Sequence, residues 1–333
     1  MGNKATPPRS FNTIRHSQTK VRAQRRKTQR IVLLTMLITV AAILLSLLVL
    51  GGFAAVNAIM NARPSQNDES TPPPAGSQIT FIQITKLVGD IHKGQLILVN
   101  KDNKYTFPGD VMLPLISENM VKKANGSTIY RPVPGVEKLE SVTLEALNAM
   151  MYKYYELDND ASFALSSAYR TEEDQGKLTS TPILPGYSDH HTGYCVAIQY
   201  GDRTNLESDH WFYQNAHKYG FVVRYPKDKE NITQVPDYQH CFRYVGVAHA
   251  TYMYENNLCM EEYLDLLKNT YSSAATRLSI AAADGFRYEV YYVAFSGVDF
   301  TTLDVPTSNF SYTVSGDNRG GFIVTVKIPT PAA

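Results

Sequence analysis

Three things are scarce in this 333-residue chain: acidic residues at its start, any charge in the stretch that follows, and cysteine. Residues 1–30 hold nine lysines and arginines but no aspartate or glutamate, and residues 31–60 carry no charged side chain. Because this basic excess is confined to one end, the rest of the chain is acidic, which argues against nucleic-acid binding. The three cysteines are an odd number, so at least one thiol has no disulfide partner within the chain.

Residues 31–60 are almost wholly apolar, and we expect them to span a membrane and contact its lipid bilayer. At 1.5 Å per residue, a helix of this length exceeds the roughly 30 Å of a bilayer's hydrocarbon core. The basic flank comes first, so the positive-inside bias predicts a cytoplasmic N-terminus and an extracytoplasmic domain in a single-pass cell-membrane protein. A signal peptide cleaved near Val56–Ala58 is the alternative, although the apolar run is roughly twice the length of a usual signal-peptide core.

The composition divides the chain into segments. Residues 61–78 are polar and proline-rich and are predicted to be a disordered linker between the membrane and a folded domain. The residues after the linker are numerous enough to bury one full core. We therefore expect a cytoplasmic tail at 1–30, a transmembrane helix at 31–60, the linker at 61–78, a main domain at 79–270 and a β-rich extension at 284–329.

Short runs of β-branched and aromatic residues, bounded by glycine, asparagine and proline, predict strands in the main domain. They lie near residue 80 and at 95–100, 104–107, 163–170 and 193–200.

Helices are predicted from apolar residues spaced three and four apart. The clearest case is 141–156, and further helices are expected at 210–220, after 244 and at 260–271. Strands and helices alternate with no fixed period, which favours an α+β fold over a doubly wound sheet. The last predicted strands, from 288 onward, form the small β-rich extension.

Two segments carry a motif. PGYSDHHTGYCVAIQY at 185–200 resembles the stretch of zinc D-alanyl-D-alanine carboxypeptidases of the VanY type in which a metal histidine precedes a metal aspartate. DYQHCFRYVG at 237–246 is similar to the strand that supplies that family's general base and last zinc histidine. SSAYRTEEDQ at 166–175 and HWFYQNAHKYGFVVRYP at 210–226 also resemble family segments. The resemblance covers roughly 96–267 and implies a VanY-like α+β domain with a mixed or antiparallel sheet flanked by helices.

The chain departs from the family's pattern at the metal and at the base. His190 matches the first zinc ligand, but Ala197 stands at the aspartate position and Cys241 at the second histidine position. Tyr238 stands at the position of the general base. A methyl group cannot bind zinc, and a phenol is a poor substitute for a carboxylate that takes a proton from metal-bound water. We therefore identify no catalytic residue and expect impaired peptidase chemistry.

The cysteines leave three arrangements open. Cys195 is expected to share a strand face with Ala197, so His190, Cys195 and Cys241 could form a rebuilt zinc site. A disulfide between Cys195 and Cys241 could instead close the former metal site, if the two family strands are neighbours. The third arrangement, free buried thiols with no zinc, is the one we expect for these residues and Cys259.

Arg170 corresponds to the family arginine expected to hold the terminal carboxylate of the substrate. A guanidinium can grip a carboxylate through two parallel hydrogen bonds. With Ser188 and His190, it is expected to line a cleft for peptidoglycan stem peptides. The leading hypothesis is a membrane-anchored, D-alanyl-D-alanine carboxypeptidase-like protein that binds or regulates at the cell wall.

Two other functions stay open. The first is an active D,D-carboxypeptidase or related zinc peptidase in which Cys241 is a ligand and Glu207 or Asp209 supplies the base. The second is a purely structural partner of another membrane protein, with the β-rich extension as its contact surface.

Overall fold

The computed structural model describes residues 79–329, apart from 110–111, 161, 180, 202–205, 207–209, 237 and 308–309. The predicted basic tail, membrane span and linker lie outside the described residues. Within them, no helix has the length and apolar character to cross a membrane.

Short strands and one long helix dominate the described part of the chain. Its strands are β1 Phe81–Leu87, β2 Arg131–Pro132, β3 Phe163–Ser167, β4 Cys195–Tyr200, β5 Phe221–Val223, β6 Cys241–Tyr244, β7 Leu278–Ala281, β8 Arg287–Ala294, β9 Phe300–Pro306, β10 Ser311–Gly316 and β11 Gly321–Ile328. Its α-helices are α1 Ile116–Asn119, α2 Ser141–Asp158, α3 Glu172–Gly176, α4 Trp211–Asn215, α5 Glu230–Thr233, α6 Val247–Glu255 and α7 Met260–Thr270. The mixed α+β class predicted from the sequence is confirmed.

The central sheet has five strands in the order β2-β3-β4-β6-β5. Strands β2 and β3 run parallel, and every other neighbouring pair is antiparallel. The predicted helix at 141–156 is α2, which buries Leu144, Leu147 and Met151 in one core with the sheet residues Leu165 and Val196. Each such side chain contributes roughly 1.5–3 kcal/mol when fully buried, so this core fixes the sheet that carries the site.

A second sheet has the order β10-β11-β8-β7 and is antiparallel throughout. Its residues Val290 and Ile323 share a hydrophobic core with Ala248 of α6 and with Leu264 and Leu267 of α7. The β-rich end of the chain is therefore packed into the same core as these two helices. Strands β1 and β9 form a separate two-stranded antiparallel ribbon.

Two predicted strands, at 95–100 and 104–107, were wrong: neither forms a strand in the structure. Residues 96–99 are buried as expected, but side chains satisfy much of their backbone. Arg243 donates to the carbonyls of Gln95 and Ile97, Arg224 donates to that of Val99, and Asn318 donates to that of Leu98. An apolar run predicts burial, but it does not reveal which groups will pair with its backbone.

Candidate active site

A single 3-10 turn, Asp189–Thr192, positions the candidate site in front of β4. The Ser188 hydroxyl caps the turn by accepting from the backbone N–H of His190 at 3.4 Å. The Thr192 hydroxyl donates to the carbonyl of Asp189 at 2.7 Å. Gly193 ends the turn at φ 74°, where a side chain is disfavoured and an added Cβ would lie 3.1 Å from Glu140. The turn is thus held by local hydrogen bonds as well as by the contacts that its side chains make with the sheet.

Strands β4 and β6 bring the two cysteines to one face. Ala197 lies directly opposite Cys241, and Cys195 lies opposite Arg243. Because side chains alternate along a strand, Cys195, Ala197 and Cys241 point the same way. His190 reaches the same space from the turn, and one of its ring nitrogens and the two sulfur atoms all lie within 4.8 Å of one another. The structure therefore brings His190, Cys195 and Cys241 together.

The hydrogen bonds of His190 assign its protons. Nδ1 lies 3.3 Å from the carbonyl oxygen of Cys195, which can only accept, so Nδ1 carries the hydrogen and donates. Nε2 keeps its lone pair and faces the Sγ of Cys241 at 3.9 Å. Burial, reinforced by the positive charge of Arg170, holds the pKa of His190 well below its usual value. The imidazole is therefore neutral at pH 7, which is the form that binds metals.

All three cysteines are buried free thiols in this structure. Burial, with the neighbouring Cys241 thiol, raises the pKa of Cys195 well above its usual value. Cys259 lies elsewhere, at the N-terminus of α7, where burial raises its pKa to about 12. Cys195 and Cys241 share a small apolar cluster with Ala197 and Tyr225, so the former aspartate position contributes only a methyl group to this space.

The donor set fits a zinc ion. One imidazole nitrogen and two thiol sulfurs are ligands that zinc accepts, with a water or substrate atom in the fourth position. Zinc bonds of about 2.0–2.1 Å to nitrogen and 2.3 Å to sulfur place tetrahedral donors roughly 3.6–3.8 Å apart. The observed 3.9 Å between Nε2 of His190 and Sγ of Cys241 is close to that spacing.

Arg170 lies beside the thiols and is half-buried. Its guanidinium donates to the Ser167 hydroxyl at 2.8 Å, and the structure gives it no carboxylate partner among the residues it describes. Burial lowers the pKa of Arg170. Its backbone is held at both ends, because its N–H donates to the carbonyl of His190 and its carbonyl accepts from Nδ1 of His191. The guanidinium is therefore positioned without being neutralised.

The position of the general base carries no carboxylate. Tyr238 is half-buried against the cluster of Cys195, Ala197 and Cys241. Within the described residues, no carboxylate joins the metal-ligating group. The two residues predicted as substitute bases, Glu207 and Asp209, lie outside the described residues.

His191, next to His190, holds the local backbone. Nε2 of His191 accepts from the backbone N–H of Gly186 at 3.0 Å, while its Nδ1 donates to the carbonyl of Arg170 at 2.7 Å. Both nitrogens of His191 are thus engaged. Ser188, predicted to contact substrate, is 1% exposed, and its hydroxyl caps the turn.

Sequence reasoning missed a buried charge network on the other side of the same turn. Asp189 pairs with both Arg224 and Arg243, and Arg224 also pairs with Glu261 at 2.8 Å. Burial alone would lower the pKa of Arg224, but Glu261 and Asp189 outweigh it and raise that pKa. The available signal was an acidic residue next to His190, together with one arginine directly after β5 and another in β6.

A cavity of about 250 Å³ lies next to the apolar cluster that contains the thiols. It shares Ile183, Tyr225 and Val235 with the wall around Cys195 and Cys241. Most of its wall is apolar, but Thr233 also lines it, and the buried hydroxyl of this residue has no hydrogen-bond partner within the described part of the chain. An apolar pocket with a few polar groups is suited to a small ligand or a side chain.

The sequence and the fold of this chain resemble those of known proteins. The sequence model of the family described as VanY, D-alanyl-D-alanine carboxypeptidase, matches residues 136–247. A D-alanyl-D-alanine carboxypeptidase of Enterococcus faecium is 30% identical over 250 residues, covering 71% of this chain and 76% of that protein. One from Enterococcus faecalis is 29% identical over 192 residues, covering 54% of this chain and 69% of that protein.

A solved structure also shares the fold. It is the vancomycin-resistance D,D-dipeptidase VanXYg in complex with a D-Ala-D-Ala phosphinate analogue, with a TM-score of 0.59 and 24% identity. The match covers 74% of this chain and 99% of that one. From its sequence relatives and its fold, the chain belongs to the VanY family of D-alanyl-D-alanine carboxypeptidases.

Proposed function

We propose that this chain binds the D-alanyl-D-alanine end of peptidoglycan stem peptides and does not cleave it, acting at the cell wall as a binding or regulatory protein. The observation that carries the proposal is the combination of an arginine without a carboxylate partner, among the described residues, and a base position that holds a tyrosine. Arg170 has no carboxylate partner among the described residues, while Tyr238 occupies the base position. Recognition of a peptide's C-terminus needs the first group, and hydrolysis needs a base as well.

In this arrangement Arg170 donates two parallel hydrogen bonds to the terminal carboxylate of the peptide. Its main chain is anchored by His191 and by the turn at His190, so little freedom is lost on binding. The adjoining cavity, with Ile183 and Val235 in its wall, takes an apolar side chain of the peptide. A metal held by the histidine and thiols would polarise a peptide carbonyl when bound. Ser188 contributes by holding the turn.

The location is part of the proposal. Residues 31–60 anchor the chain in the cell membrane as a single-pass helix with a cytoplasmic N-terminus, which sets the VanY-like domain in the extracytoplasmic space. The apolar run and its basic flank support this arrangement. Peptidoglycan lies in that space, so the membrane anchor and the proposed ligand are consistent with each other.

The binding proposal is tested by calorimetric titration of the full-length chain with a tripeptide ending in D-Ala-D-Ala and with its C-terminal amide. We expect the free acid to bind and the amide to bind at least tenfold more weakly, because the amide has no charge for the guanidinium. Arg170→Lys should lose at least tenfold in affinity, since lysine cannot form the paired contact. The exposed Arg287 gives the matched control Arg287→Lys. Equal binding of acid and amide would refute the role of Arg170.

A second function, a zinc D,D-carboxypeptidase, is supported by the convergence of His190, Cys195 and Cys241. In that case Cys241 is a ligand and the base comes from a residue such as Glu207 or Asp209. Release of D-alanine from the same tripeptide separates the two functions, because the binding protein holds the peptide intact.

A further inference from the structure

Metal binding at His190, Cys195 and Cys241 would not depend on whether the chain cleaves peptides. We infer that His190, Cys195 and Cys241 form a thiolate zinc site in which Cys195 takes the place of the carboxylate that is missing at position 197. The aspartate and one histidine of the family pattern are both replaced here, yet three suitable donors still converge.

The register of the sheet makes Cys195 a geometric substitute. Ala197 faces Cys241 directly across β4 and β6, and Cys195 lies two residues earlier on the same face. A side chain at 195 therefore approaches the metal space from the same strand as one at 197. The two sulfur atoms and one nitrogen of His190 all lie within 4.8 Å of one another.

Cys195 also orients a second ligand. Its backbone carbonyl accepts the hydrogen of His190 Nδ1 at 3.3 Å, which leaves Nε2 free and aimed at Cys241. Metal-binding histidines usually donate their other nitrogen to such an acceptor, which fixes the tautomer and the ring. The hydroxyl of Ser167 lies 3.3 Å from the same nitrogen and accepts a hydrogen bond from the guanidinium of Arg170. The ring is therefore held in a ligating orientation.

The charges and the softness of the donors favour zinc. The two thiols lose one proton each on binding, so a zinc ion with two thiolates and a neutral imidazole carries no net charge. Such a site suits a buried apolar cluster better than an unpaired ion does. Cys241 and Cys195 are soft ligands, which favour zinc over magnesium or calcium.

The test measures metal content and ligand identity on the full-length chain, purified without chelators and under reducing conditions. Elemental analysis should give about one zinc per chain, and cobalt substitution should give a thiolate-to-cobalt charge-transfer absorption. His190→Ala, Cys195→Ala and Cys241→Ala should each lower zinc at least tenfold. Cys259→Ala is the matched control, because Cys259 is a buried free thiol outside the trio, and it should keep full occupancy.

A rescue variant separates ligand loss from misfolding. Cys195→Ala combined with Ala197→Asp restores the family's carboxylate beside the vacated thiol, and we expect it to recover zinc with a weaker charge-transfer band. Circular dichroism must show native helix content in each variant that is compared. The inference fails if the wild-type chain holds no zinc, if Cys195→Ala retains wild-type zinc, or if Cys195 and Cys241 are found joined in a disulfide. None of these outcomes alters the acid-against-amide comparison that tests peptide binding.

Discussion

The two sides of the turn Asp189–Thr192 satisfy their charges in opposite ways. On one side, Asp189 is enclosed by Arg224 and Arg243, so that a buried carboxylate has two cationic partners. On the other side, His190 faces the sulfur atoms of two cysteines, and the nearby Arg170 has no anionic partner among the described residues. Neighbouring residues thus enter a fully paired network and a site that still needs a ligand.

This difference separates the residues that hold the fold from those that could bind a ligand. The paired side joins the turn to β6, to the segment at 95–99 and to α7, through Asp189, Arg243, Arg224 and Glu261. Such a network holds the position of His190 whatever its ring binds. The unpaired side can therefore exchange a carboxylate for a methyl group and an imidazole for a thiol while the fold remains intact.

Breaking the paired side should have the largest effect. Asp189→Asn leaves two buried guanidinium groups without their shared carboxylate, which we expect to lower the free energy of unfolding by about 3–5 kcal/mol. Denaturant unfolding followed by circular dichroism measures the change. The matched control is Glu156→Gln at the exposed pair with Lys153, where the loss should stay below about 1 kcal/mol. Equal losses in the two variants would contradict the account.

The buried imidazole of His249 adds a third case to the comparison, because it is uncharged. His249 lies between the hydroxyls of Tyr263 at 2.7 Å and Thr325 at 2.9 Å, and burial lowers its pKa to about 3. In the unfolded chain this imidazole takes up a proton below its usual value of 6.5. Acid therefore favours unfolding between about pH 6.5 and 3, and the contribution of His249 is complete only above that window.

Unfolding free energies of the wild type and of His249→Gln, measured from pH 7 to 4.5, test this site. The wild type should lose about 1.4 kcal/mol per pH unit more than the variant below pH 6. Every other titrating group is common to both chains, so the difference in slope isolates His249. Parallel curves would show that the imidazole is not held neutral.

The unpaired side should be the least costly to alter. Arg170→Met removes a half-buried charge that has no ion-pair partner among the described residues and loses one hydrogen bond to Ser167. We expect the free energy of unfolding to change by less than about 1 kcal/mol, because the lost hydrogen bond and the removed desolvation cost offset each other. Arg224→Met, on the paired side, is the control and should cost about 3–5 kcal/mol. A loss of that size for Arg170→Met would make it a framework residue.

Features that depend on residues close together in the sequence could be predicted, and features that depend on distant residues could not. Periodicity predicted α2, because its apolar residues Leu144, Leu147 and Met151 repeat within one helix. The shared face of Cys195 and Ala197 followed from strand alternation alone. The loop at 95–100 could not be predicted, because its carbonyls are satisfied by Arg224 and Arg243, more than 120 residues away.

The candidate site divides in the same way. From the sequence, the family resemblance predicted His190 and Cys241 as candidate ligands, a tyrosine at the base position 238, and Arg170 in the lining of a substrate cleft. It could not establish that both sulfurs converge with His190, because that depends on the register of β4 against β6. The pairing of Asp189 with two arginines was missed for the same reason.

The most direct test of the central claim, recognition without a base, is D-alanine release by the zinc-loaded chain and by its Tyr238→Glu variant. We predict that the wild type binds the D-Ala-D-Ala tripeptide without releasing D-alanine. Tyr238→Glu should release it at least about 100-fold faster than the background hydrolysis measured with the wild type, the lower range for a general base, and Tyr238→Gln should stay at that background. Release by the wild type as fast as by Tyr238→Glu, and abolished by Cys241→Ala, would contradict the account and identify an active peptidase.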